Sequence, residues 1–75
     1  MTRYKNLSGR SGVLEYEIDT DWIKVRFNEQ QVYTYRKTKI GEERFSAMIS
    51  YAKAGKGLAT YISRNVRSDY SSKEK

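Results

Sequence analysis

Residues 13–36 read VLEYEIDTDWIKVRFNEQQVYTYR, three short alternating runs separated by polar turns. In the first run Leu14, Tyr16 and Ile18 share one face while Glu15 and Glu17 share the other, the period of two expected of a half-buried strand. Asp19-Thr20-Asp21 turns the chain, and a second run sets Ile23, Val25 and Phe27 against Trp22, Lys24 and Arg26. After a second polar turn, Asn28 to Gln31, the run Val32 to Arg36 is rich in β-branched and aromatic residues. It puts Tyr33 and Tyr35 on one face and Val32, Thr34 and Arg36 on the reverse. Connections this short join neighbouring antiparallel strands, so a three-stranded meander is predicted.

Downstream the period changes. Phe45, Met48, Ile49 and Ala52 fall at i, i+3, i+4 and i+7, one stripe of a helix, with Glu42 and Glu43 at its positive N-terminal end. Gly55 and Gly57 interrupt it, and Leu58, Tyr61, Ile62 and Val66 resume a helical stripe. Strands followed by helices predict an α+β domain in which two helices cover one face of the sheet. The polar stretch 1–11 and the tail 69–75, whose one large apolar side chain is Tyr70, are expected to be flexible, leaving residues 12–68 as a single folded unit.

Composition limits the chemistry. A chain of 75 residues holds one domain, and with 37% hydrophobic residues its core must be thin. Cysteine and histidine are both absent, which excludes a disulfide framework, a thiolate nucleophile, an imidazole base and the common zinc sites. Glu15, Glu17, Asp19 and Asp21 lack EF-hand spacing, and Glu42-Glu43 point in directions about 100° apart on a helix, so neither a metal site nor an acid/base pair is expected. No catalytic residue and no cofactor are predicted. No signal peptide or spanning segment is read, and the expected compartment is the cytoplasm.

Tyr33-x-Tyr35 after a strand ending in Phe27, then a helix, a glycine-containing loop from Ala52 to Gly57, and Tyr61-Ile62 resemble the KTSC domain, named after the C-terminus of some lysyl-tRNA synthetases. The similarity runs from about Gly12 to Ile62. Two positions depart from the family pattern: its early Gly-Tyr-Asp reads Glu15-Tyr16-Glu17, and the Val-Pro before its first helix is replaced by Lys39-Ile40. The resemblance implies a small bacterial or phage module without catalytic residues, for which fusion to a synthetase suggests contact with RNA.

Charge gives an independent pointer. The 15 Lys and Arg against 9 Asp and Glu leave a formal +6. In residues 1–35 cations and carboxylates cancel, so the whole excess lies in 36–75, and Arg44 to Arg67 carries Arg44, Lys53, Lys56, Arg64 and Arg67 with no acid. Lys53, Lys56, Arg64 and Arg67, flanked by Arg36 and Lys37, are therefore candidate phosphate contacts. The same residues also suit an ordinary solvated helical face. Tyr33 and Tyr35 have two readings, as core rings or as a base-stacking platform, and Trp22 beside Lys24, Arg26 and Arg36 is a further stacking candidate on the other face. Gly55-Lys56-Gly57 reads as an interhelical turn or a single-phosphate cradle, without Walker spacing.

The expected function is a non-enzymatic binding module for RNA or single-stranded nucleic acid, acting as a monomer or weak dimer without membrane attachment. The alternative is a protein-interaction module, for instance a phage or bacterial accessory or inhibitor protein that presents Trp22 to a protein partner.

Overall fold

The computed structural model describes residues 1–9, 11–28 and 31–74. Its strands are β1 (Thr2–Arg3), β2 (Val13–Ile18), β3 (Trp22–Phe27), β4 (Val32–Arg36) and β5 (Ser72–Glu74), and its α-helices are α1 (Lys37–Ile40), α2 (Glu42–Ala54) and α3 (Leu58–Tyr61), which runs on into a π-helical turn, Ile62–Val66. The architecture is α+β: an antiparallel sheet in the order β1-β2-β3-β4-β5, with the helices on one face.

The predicted meander is the centre of this sheet. Ile23 faces Tyr35 and Val25 faces Tyr33 across β3 and β4, with Trp22 opposite Arg36. The apolar set faces the helices, because a sheet with one covered face must place every second side chain there. Ile23, Val25, Tyr35, Met48, Leu58 and Val66 are all fully buried and form one core with Phe45, Ala52 and Ile62.

Three expectations are corrected. The three-stranded meander becomes a five-stranded sheet, because the segments placed outside the folded unit pair along both edges: Thr2 with Tyr16, and Thr34 with Ser72. Tyr4, in the stretch expected to be flexible, is only 3% exposed. The two helices become three, since Lys37–Ile40 makes a separate turn that buries Ile40 before Gly41 and α2. Third, the facing of β2 is not a continuous alternation. A bulge between Val13 and Glu15 lets Val13 enter the core at 1% exposure and turns Leu14 outward. An inserted residue of this kind exchanges the two faces of a strand on either side of it.

The N-terminal segment also fastens the helical layer. Tyr4 N–H donates to the Leu14 carbonyl, Leu7 N–H donates to the Gly55 carbonyl at 2.7 Å, and the Tyr4 hydroxyl accepts from Leu58 N–H at 3.3 Å. Gly55 sits in the left-handed region, with φ of 79°, and a Cβ there would lie 2.6 Å from the Lys5 Cβ. Glycine is therefore required both by the backbone and by the close approach of Lys5.

Candidate functional site

A cleft of about 470 Å³ opens between the helix-facing side of the sheet and the C-terminal helix. Phe27 ends β3 and Tyr33 lies on β4, so both reach it from the core face of the sheet; Ile62, Ser63 and Arg67 reach it from the helical side, and Tyr70 from the chain that leads into β5. Asn28 lies at its margin. Among the described lining residues the ionisable group besides the tyrosine phenols is the Arg67 guanidinium, and none of those described is a carboxylate.

The aromatic wall is preassembled. Tyr33 meets Phe27 edge to face at 5.2 Å and Tyr70 edge to face at 4.8 Å, and it lies nearly parallel to Tyr35 at 6.4 Å. These are favourable aromatic geometries, each contributing about 0.5–1.5 kcal/mol beyond burial. The Tyr33 hydroxyl donates to Gln31 Oε1, the Lys73 ammonium lies 5.4 Å from the Tyr33 ring centroid, and Lys39 Nζ donates to the Tyr70 carbonyl. Ser71 N–H donates to the Thr34 carbonyl at 2.6 Å, which holds Tyr70 beside β4. Tyr35 is 1% exposed; burial pushes its phenol well above the ordinary tyrosine range, and the neighbouring Tyr33 and Tyr70 phenols add to the rise.

Arg67 directly follows the π-helical turn and reaches the cleft together with Ile62 and Ser63.

The other predicted site residues are spread more widely. Lys53 is exposed in the last turn of α2, Lys56 is exposed in the turn between Gly55 and Gly57, and Arg64 is exposed in the π-helical turn. Lys37 opens α1. Arg36 lies on the opposite face of the sheet from Arg67, where it lines a shallow depression with Trp22, Lys24 and Thr34. Trp22 is half-buried there, with the Lys24 ammonium 5.2 Å from its ring centroid. The structure thus brings Arg67 together with Tyr33 and Tyr35, and Trp22 together with Arg36, on two separate faces.

On the outer face charges run in opposition across the strands: Arg3 faces Glu15, Glu15 faces Arg26, and Glu17 faces Lys24. Arg26 Nε and Glu15 Oε1 are 2.9 Å apart. Such half-exposed pairs add little stability but weaken the local field. At the Gly55-Lys56-Gly57 turn the Leu58 amide is taken up by Tyr4, which fits the interhelical-turn reading.

Phe27, Asn28, Ser63 and Tyr70 are cleft residues that were not singled out as site candidates from the sequence. The available signal was Tyr70 itself, a lone aromatic in a polar tail that had no reason to be there unless it packed.

Comparisons with protein-family models, with curated proteins and with solved structures found no match for this chain.

Proposed function

We propose that the protein is a non-enzymatic module that binds single-stranded nucleic acid, RNA foremost, at the cleft between β4 and the C-terminal helix. The observation that carries the reading is the lining: Phe27, Tyr33 and Tyr70 beside a guanidinium, with no carboxylate among the described lining residues. Unpaired bases bind by stacking on aromatic rings, and phosphates bind arginine, so this combination suits a ligand that is both flat and anionic. The outer face, where cations and carboxylates alternate, supports such binding less well. Lys53, Lys56, Arg64, Arg36 and Lys37 add a general attraction for a polyanion through the net +6 of the chain. The KTSC resemblance points the same way.

Titration with a single-stranded RNA octamer, followed by NMR at two salt concentrations, tests the reading. Binding is expected to weaken with a slope of about −0.7 in log K against log[salt] per phosphate contacted. Tyr70→Ala and Arg67→Ala are each expected to weaken it, the first by about 1–3 kcal/mol if Tyr70 carries a stacked base. Undetectable or salt-insensitive binding overturns the proposal. Loss of partner binding on replacing Trp22, with Arg67→Ala silent, would favour the protein-interaction module instead.

A further inference from the structure

We infer that the cleft takes one nucleotide at a time, a chain end or a single extruded base, rather than a run of stacked bases. The inference rests on the nucleic-acid reading above and narrows its ligand. Three observations support it.

The first is size. A volume of about 470 Å³ falls at the lower end of small-molecule sites, which span about 300–1,000 Å³, and suits one base with its sugar and phosphate.

The second is the absence of a continuous platform. In sheets that bind a strand of RNA, successive bases stack on rings displayed along an open face. Here Tyr35, the ring that would extend the row from Tyr33, is 1% exposed and forms part of the core. Trp22 lies on the opposite face of the sheet, where Arg36 and Lys24 surround it. A strand leaving the Tyr33 ring therefore meets no second exposed ring along β4.

The third is the pairing of chemistries within the cleft. The Asn28 amide and the Ser63 hydroxyl line the same space as the aromatic wall, giving a flat ring donors and acceptors along its edge. Among the described lining residues Arg67 is the one cation, a guanidinium that can pair with one phosphate, with the Lys73 ammonium beyond the lining at the Tyr33 ring. A longer strand would draw its remaining affinity from charges outside the cleft and would gain little specificity from them.

The test compares adenosine 5′-monophosphate, uridine 5′-monophosphate, ribose 5-phosphate and the RNA octamer by NMR on the full chain at low salt. Both mononucleotides are expected to shift the signals of Phe27, Tyr33, Ser63 and Arg67, while ribose 5-phosphate leaves the aromatic signals in place. The octamer should shift the same cleft signals and no further aromatic ones. Arg67→Gln, an exposed replacement, should weaken the mononucleotides while leaving the fold intact, and Tyr33→Leu should weaken them by about 5- to 150-fold, the range of one stacked base. If the octamer binds but the mononucleotides leave the cleft signals unmoved, the one-nucleotide inference fails and the wider reading stands. If the mononucleotides bind but neither replacement matters, the inference also fails, because the ligand is then held elsewhere. If neither octamer nor mononucleotide binds, both the inference and the reading on which it rests are overturned.

Discussion

Tyr35 shows how one side chain can decide between two roles. It stands beside Ile23 across the β3–β4 pair and belongs to the core under the helical layer, while it also contributes to the cleft lining. The raised phenol follows from that position, and its sign is testable. Below the ordinary tyrosine value of 10.0 both folded and unfolded chains keep the proton, and Tyr35 adds no pH dependence. Above it the unfolded chain releases the proton while the folded chain holds it, so stability falls as pH rises. The decline should approach about 1.4 kcal/mol per pH unit for this one group. Urea unfolding between about pH 9 and pH 11 should show a steeper loss for the wild type than for Tyr35→Phe. Equal slopes would mean that Tyr35 ionises as freely in the folded protein as in the unfolded one.

Among the elements, the N-terminal segment and α3 depend on each other. A four-residue helix leaves most of its first amides without intrahelical partners, and the Tyr4 hydroxyl accepts one of them, from Leu58. Tyr4→Phe keeps the ring but leaves that buried amide unpaired, which should cost about 1–3 kcal/mol by chemical denaturation. A cost near zero would show that water or a neighbouring group replaces the hydroxyl. This contact was not legible in the sequence, because residues 54 positions apart carry no shared periodicity. What could be read were the elements whose two faces differ: β3 and α2 show their buried sides as a repeat of apolar residues, and Phe45, Met48 and Ala52 are buried as the stripe predicts, whereas in β4 Val32 and Thr34 are buried on the reverse face as well. β1 and β5 are exposed along their length, so they had no buried side for the sequence to record. Val13 and Leu14 are both aliphatic, so composition could not tell which of them the bulge would turn inward. For the cleft, Tyr33 and Arg67 were visible as candidates, whereas Asn28, from the sheet side, and Ser63, from the helix, acquire a role only from the packing of the one against the other.

For the molecule as a whole, the sheet closes around both ends of the chain. The amides of Tyr4 and Ser71 donate to strand carbonyls, so their hydrogen exchange should be slowed together with that of Ile23 and Val25 as the domain opens. Rapid exchange at both, with β3 protected, would show that the edges open without the centre. Four inter-strand steps of about 4.8 Å set β1 and β5 roughly 19 Å apart across the sheet. The strand before Tyr4 and the strand after Tyr70 are thus the two opposite edges of the sheet, and of the two it is β5 that adjoins the cleft through Tyr70.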